Sequence, residues 1–350
     1  MDLKKLDDIK INFIVGHGRS GTTLLVVLLN NQSNCISTPE IHHFIYFYKK
    51  YKNIQFVSSQ LIEDYKNYLS DFFKYKKNPL IGPLNYSLIN ELTIGEEINY
   101  SQFTKLIYLS LYGEKGITNE INVIVDKNPY YTFHIDKIID VFPQAKILAL
   151  IRDYRAYALS NMQSQRPWVS IKSSFYYGTV WNLYISKITD GKRKYGDSIK
   201  IVKYEDLVIN KTQSIKEIMF FFDLTYSESV FDIHIAMKQK IIEMNVPAQY
   251  ERMVKKINDL SMPINTERVF AWEKDLAIKD IKKLDFISGK LGLKYGYCKK
   301  TDLFVINKFI YSILQLPYYV RVKLYEIINS PKIHFYLLYK NRSKLLDKVK

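Results

Sequence analysis

At 350 residues with 47% hydrophobic and 15% aromatic content, the chain can bury a large core, which excludes disorder as its ordinary state. Its 51 Lys and Arg against 35 Asp and Glu leave a net charge of +16, which favours anionic partners such as nucleotides, acidic glycans, nucleic acid or a membrane surface. The charge does not choose among them, and an AT-rich gene would enrich Lys, Asn, Ile and Tyr together whatever the function. With only Cys35 and Cys298 present, no disulfide framework is legible and a reducing compartment suits the chain.

Residues 1–10 mix three Lys with three Asp and carry no signal-like or anchoring apolar stretch, so a cytoplasmic protein is expected. Ile11–Val15 is a short apolar run ending in a Gly-rich turn, which reads as a buried parallel strand. Thr22–Asn31 follows as a helix, and Cys35–Pro39 as the next strand and its exit. Residues 41–121, dense in Tyr, Phe and Lys, read as an irregular, mostly helical insertion with turn signals near Pro79–Pro83. Val123–Asp126, Ile147–Ile151 and Ile199–Lys203 are further strands, separated by helical patterns from about Tyr154, between Ile171 and Lys194, and at Thr212–Phe222. Residues 245–276 read as polar and loop-like, and Ile278–Leu291 as a last helix.

Strands alternating with helices predict an α/β fold, a P-loop-like domain whose central parallel sheet is flanked by helices over residues 1–300. In such sheets ligands sit outside the carboxyl ends of the strands. The remaining residues, 301–350, form a helical tail with nine Lys or Arg against three acids. Leu303–Val320 is nearly apolar, yet Asn307, Lys308, Gln315 and Pro317 make it a poor membrane span. A basic amphipathic helix in peripheral contact with the inner face of an anionic membrane is one expectation; packing on the main domain is the other.

The strand-to-helix turn Gly16-His17-Gly18-Arg19-Ser20-Gly21-Thr22-Thr23 can present successive backbone N–H groups and a helix N-terminus to an anion. An ATP-using loop would carry Lys where Thr22 stands. Arg19 supplies a cation within the loop instead, and Ser20, Thr22 and Thr23 supply hydroxyls, a set suited to an anion handled without an essential metal. The string FIVGHGRSGTTLL resembles the 5'-phosphosulfate loop of sulfotransferases that use PAPS (3'-phosphoadenosine-5'-phosphosulfate), in the Arg-Ser-Gly form of the carbohydrate-directed and bacterial branch.

By that resemblance Arg19, Ser20, Gly21, Thr22 and Thr23 hold the 5'-phosphosulfate. Arg152 at a strand end and Ser160 two turns into the next helix, in IRDYRAYALS, match the pair that grips the 3'-phosphate. The strings VDKNP at residues 125–129 and VFPQAK at 141–146 match the same branch and make Lys127 the candidate that reaches the sulfuryl group, with Arg19. Tyr204-Glu205-Asp206-Leu207 resembles a string that supports the nucleotide site. Arg268, ahead of Trp272, is a further cofactor candidate, although the RKG triplet of the cytosolic branch is missing.

The resemblance implies sulfuryl transfer from PAPS to an acceptor hydroxyl, leaving 3',5'-bisphosphoadenosine, with a glycan or glycolipid as the expected acceptor and a small alcohol, lipid or protein Tyr still open. Glu40, in Thr-Pro-Glu, matches the acceptor base of glycan-directed members; His42 or His43 competes, because the cytosolic branch uses His. No metal site is expected, since the six His form no ligand cluster with Cys. A nucleotide kinase is the alternative enzyme, opposed by the missing loop lysine. A basic nucleic-acid or membrane-binding module is the non-enzymatic one; it explains none of the ordered strand-end strings, and no nucleic-acid partner is expected.

Overall fold

The computed structural model describes residues 3–38, 40–75, 86–111, 121–164, 171–231, 266–298 and 308–328. A short helix α1 (Lys5–Asp8) leads into β1 (Lys10–Gly16), the Gly-rich turn, α2 (Thr22–Asn30) and β2 (Cys35–Thr38). Four helices follow: α3 (His43–Tyr51), α4 (Ser59–Tyr75), α5 (Ser87–Asn90) and α6 (Tyr100–Ser110). Then come β3 (Val123–Lys127), a 3-10 turn at Pro129–His134, α7 (Ile135–Val141), β4 (Ile147–Ile151), α8 (Tyr154–Met162), α9 (Ser174–Tyr195) and β5 (Ile199–Lys203). The chain continues through α10 (Tyr204–Ile209), α11 (Lys211–Phe221), α12 (Glu267–Asp275), α13 (Ile278–Lys294) and α14 (Lys308–Ile328).

The five strands form one parallel sheet in the order β2-β3-β1-β4-β5. All five predicted strands are present, and β1 is central and buried on both faces: only Lys10, at its start, is exposed, and the buried Asn12 amide is hydrogen-bonded to the Phe222 carbonyl and the Lys146 N–H. Successive side chains of a strand point to opposite faces, so Phe13 and Val15 enter one core while Ile14 enters the other. The core containing Ile14, Leu148 and Leu150 is closed by α2 and α11, through Leu25, Leu28, Ile215 and Met219. The opposite core is larger and aromatic: Phe13 meets the rings of Phe44, Phe142 and Tyr131 at 6.0, 5.7 and 6.2 Å. Many of the aromatics of the 41–121 segment are thus core residues, with Tyr65, Tyr100, Phe103 and Tyr108 fully buried.

Because β2 and β3 lie on one side of β1 and β4 and β5 on the other, the connections reverse direction at the end of β1, where a crevice forms. The Gly-rich turn stands at that point.

Residues 266–275 differ from the loop-like reading: Glu267–Asp275 is helical, with Val269 buried and its N-terminus uncapped by any side chain. The segment has too short an apolar pattern to announce a helix, and its tertiary contacts, described below, hold it. Pro247, Pro263 and Pro79–Pro83 lie outside the described residues. Phe13→Ala should cost about 3–5 kcal/mol of stability, read by urea unfolding; a loss under about 1 kcal/mol would mean that the aromatic core does not pack around β1 as described.

Candidate active site

The turn after β1 is pinned by close approach. Gly16, at φ 139°, lies where a Cβ would stand 2.3 Å from the Leu150 carbonyl oxygen, and the Thr132 hydroxyl brackets it, accepting from its N–H at 2.9 Å and donating to its carbonyl at 3.1 Å. Gly21, at φ 87°, is the N-cap of α2, and a Cβ there would come within 2.4 Å of the Tyr204 ring. No side chain caps α2, so the first N–H groups of the helix face the turn uncovered, the arrangement that favours an anion. Within the turn, the Ser20 hydroxyl donates to the His17 carbonyl at 2.7 Å. Burial lowers the His17 pKa to about 4, leaving a neutral imidazole beside the loop.

Arg19 holds a left-handed backbone at φ 69°, unusual for a residue with a side chain, and its Nε donates to Ser160 Oγ at 2.9 Å. Arg152, directly after β4, donates to the carbonyls of Arg19 at 3.2 Å and Arg268 at 2.7 Å, and lies over the Tyr204 ring at 4.5 Å. Its guanidinium is buried, its hydrogen bonds go to carbonyls, and Nε has no acceptor. Burial works against its charge. A buried donor left open in this way fits an anionic oxygen arriving there. The structure therefore brings Arg19, Arg152 and Ser160 together. Arg268 contributes its backbone, while its own side chain is exposed.

At the ends of β2 and β3, Glu40 and Lys127 meet in an ion pair at 2.8 Å, the lysine almost wholly buried and the carboxylate about half exposed. Their placement rests on Asp126, fully buried, whose carboxylate accepts from Thr38 Oγ1 at 3.1 Å and from the Tyr108 hydroxyl. Neighbouring strand residues point oppositely, so Asp126 anchors the strand while Lys127 is free to reach Glu40. His42 is held in the interior by Asn128 Nδ2 at 2.9 Å, with Tyr130 and Tyr131 edge-on. His43 is fully buried against the Tyr108 ring at 4.4 Å, and burial lowers its pKa to about 3.

A network not foreseen from the sequence surrounds the Arg152 end of the site. Asp153 caps α8 by accepting from the Arg155 N–H at 2.7 Å, and the Glu205 carboxylate accepts from the Asp153 N–H at 3.0 Å and from the Tyr297 hydroxyl at 3.1 Å. Arg155 stacks on Trp272 at 4.4 Å and donates to Asp285 at 2.8 Å, which ties α12 and α13 to α8. Asp153, Arg155, Lys203, Glu205, Trp272 and Tyr297 line a cavity of about 410 Å³ beside the strand ends. These residues come from four separate stretches of chain, which no single local string joins; the Tyr204-Glu205-Asp206-Leu207 string pointed to one of the four, and Tyr204 lies against both Arg152 and Gly21.

Burial, reinforced by repulsion from Glu205, pushes the Asp153 pKa up to about 7. The folded protein then holds a proton that an unfolded Asp, with pKa about 4, has lost. This contribution to stability is full below pH about 4 and disappears as pH rises through about 7. His17 and His43 act oppositely, their contribution being present above pH about 6.5 and lost as pH falls towards about 4 and 3. Asp153→Asn, which can still cap a helix, should therefore gain stability relative to wild type as pH rises from about 4 to about 7, the histidine contributions cancelling in the difference. Parallel stability–pH curves for the two proteins would show that Asp153 ionises normally.

A family model described as "Sulfotransferase family" matches residues 12–228. Among individual proteins, a candidate protein-tyrosine sulfotransferase of Caenorhabditis elegans is 26% identical over 177 residues, covering 50% of this chain and 65% of that protein. A candidate protein-tyrosine sulfotransferase of Caenorhabditis briggsae is 25% identical over 177 residues, 50% of this chain and 60% of that one. The matched region thus spans less than two thirds of either relative. The sulfotransferase domain from the Synechococcus PCC 7002 olefin synthase shares the fold with a TM-score of 0.50 at 16% identity, over 83% of this chain and 96% of that chain.

Proposed function

Because the chain belongs to the sulfotransferase family, we propose that it transfers a sulfuryl group from PAPS to an acceptor hydroxyl, with Glu40 as the base. The observation that carries this reading is the buried guanidinium of Arg152, hydrogen-bonded to carbonyls and with Nε lacking an acceptor, set beside Arg19, Ser160 and the uncapped start of α2. These residues fit a doubly anionic nucleotide: the N–H groups of the turn from Ser20 through Thr23, with the Arg19 side chain, would hold the 5'-phosphosulfate, and Arg152 with Ser160 the 3'-phosphate. The Ser20 hydroxyl, committed within the turn, shapes the loop. Arg268 supports this end through its carbonyl.

When bound, PAPS supplies the activated sulfuryl group. Glu40 takes the proton of the acceptor hydroxyl, and its pairing with Lys127 orients the carboxylate beforehand. Lys127 and Arg19 provide the cations that face charge developing at the leaving side, a matter of positioning and electrostatics that requires no metal among these residues. His43 is enclosed by the core and His42 is fixed by Asn128, which favours Glu40 over either as base.

A glycan or glycolipid acceptor is supported by the Arg-Ser-Gly form of the loop. The names of the two nematode relatives favour a protein tyrosine as the second reading. An acceptor panel with labelled PAPS separates them, the label appearing on saccharide hydroxyls under the first and on tyrosyl peptides under the second.

Calorimetry should find 3',5'-bisphosphoadenosine bound much more tightly than 5'-AMP. Arg152→Ala should lose roughly ten- to a hundred-fold of that affinity, since a hydrogen bond to a charged group is worth about 1.5–3 kcal/mol. Equal affinity of the wild type for the two nucleotides would remove the 3'-phosphate assignment. Glu40→Gln should lower turnover by about 10²- to 10⁴-fold while bisphosphate affinity stays nearly unchanged. Near-normal turnover in that variant, with chemistry limiting the rate, would mean that another group is the base.

A further inference from the structure

Among the described residues, the side-chain contacts of the last helix, α14, lie along one seam. Tyr311 packs edge-on against Phe175 and Phe286, Gln315 donates to Thr179 Oγ1 at 3.1 Å, Tyr318 stacks on Phe175, and Val322 is buried. These positions recur at intervals of four, three and four, one stripe of a helix. The remaining side chains from Phe309 to Leu324 are exposed, and they are mostly apolar: Phe309, Ile310, Ile313, Leu314, Leu316, Tyr319, Val320 and Leu324. Phe309 is 79% and Leu316 58% exposed.

A helix that turns its polar and aromatic seam inward and its aliphatic residues outward inverts the usual arrangement for a surface helix. Its exposed face is on the scale at which apolar patches mark an interaction surface. The charges on this face have one sign: Arg321 and Lys323 are exposed, and no acidic residue occurs between Phe309 and Leu324. In the sequence, residues 329–350 add six Lys or Arg against one Asp. Among the described residues no helix is long and apolar enough to cross a membrane. Apolar side chains bordered by an excess of cations, with Glu326 the single acid of the helix, match an anionic lipid surface, where the former enter the acyl boundary and the latter meet the headgroups.

The position of α14 relative to the strand ends adds to this. Trp181 of α9 donates its indole N–H to the Arg152 carbonyl at 2.8 Å, which puts that turn of α9 level with the end of β4. The residues that hold α14, Phe175, Tyr176 and Thr179, precede Trp181, and so lie up to about 9 Å further along the helix at 1.5 Å per residue. Since α9 leads down to the start of β5, this is the pole of the molecule at which Arg152 emerges.

We propose that the outward face of α14 docks on an anionic lipid surface and brings the strand-end site to hydroxyl groups carried at that surface. The second half of this statement rests on the sulfotransferase reading; the first does not. The test uses the full-length protein and the variant Ile313→Glu/Leu316→Glu/Val320→Glu, whose three sites are exposed and outside the nucleotide site. Flotation is measured with vesicles of phosphatidylcholine containing phosphatidylglycerol and with phosphatidylcholine alone. Wild type should partition onto the anionic vesicles in a salt-sensitive way, and the variant should lose roughly a hundred-fold in partition, with its bisphosphoadenosine affinity and thermal unfolding unchanged.

Equal flotation of the two proteins overturns the docking. So does a wild type that stays off vesicles but self-associates through these residues, which would make the face an interface between copies. Sulfation is then compared on one saccharide headgroup in two forms, as an alkyl glycoside within the vesicles and as a soluble glycoside. The variant should lose turnover on the vesicle-borne form alone; equal rates of wild type and variant on both forms overturn the delivery step. Vesicle binding without any bisphosphoadenosine binding would leave the docking standing and remove the sulfotransferase reading.

Discussion

Arg152 is a cation buried at a strand end, and its hydrogen bonds go to two peptide carbonyls and not to a carboxylate. A charge taken out of water is costly unless something of opposite sign compensates it. Carbonyl dipoles do so in part, and the Tyr204 ring adds its π face at 4.5 Å. Four segments around the crevice meet at this residue. The Gly-rich turn gives the Arg19 carbonyl, α12 gives the Arg268 carbonyl, α10 begins with Tyr204, and α9 holds the Arg152 carbonyl through Trp181. The acids nearby favour its charge from a distance but do not accept its hydrogen bonds: Asp153 is turned to Arg155, and Glu205 accepts from Tyr297 and the Asp153 N–H. The Nε–H left without an acceptor is what the proposed nucleotide phosphate would satisfy.

The opposite end of the crevice is arranged on a contrary principle. Lys127 and Glu40 form an ion pair at 2.8 Å, the lysine buried and the carboxylate half exposed. Their meeting depends on Asp126, which is buried between the hydroxyls of Thr38 and Tyr108 and so clamps the end of β3 against β2 and α6. One end of the site therefore holds a buried cation hydrogen-bonded to carbonyls alone and the other an ion pair; under the proposed function the first faces the anionic donor and the second the acceptor hydroxyl.

The parts of this design that are local in sequence were legible from it. The strands showed as short apolar runs because both faces of a parallel sheet are covered, and the turn showed through glycines that close contacts with Leu150 and Tyr204 require. Arg19, Lys127, Arg152 and Ser160 stood at strand ends or one helix further on, the side of an open parallel sheet where ligands bind, and the fold gathers Arg19, Arg152 and Ser160 there. What was not legible is what many segments build jointly. Glu267–Asp275 became helical through Val269, the Arg155–Trp272 stack and the carbonyl taken by Arg152, none visible in its charged string. The Asp153–Glu205–Tyr297 network joins three distant stretches. For the tail, packing and an outward apolar face looked like alternatives; on α14 a four-residue seam leaves room for both.

The strand order has a consequence for how the molecule comes into being. β1 pairs with β3 and β4, and the first residues joined, Lys10 with Val123 and Phe13 with Ile147, are more than a hundred positions apart. No hairpin offers β1 an early partner, since every described pairing in the sheet is parallel. A ribosome releases its product from the N-terminus onward, so the strand that will occupy the centre of the sheet emerges first and waits, apolar on both faces, until β4 has been made. Such long-range closure is slow relative to local contacts. During that interval the segment INFIVG has no partner strand, and its unpaired N–H and C=O groups are open to pairing with other nascent chains.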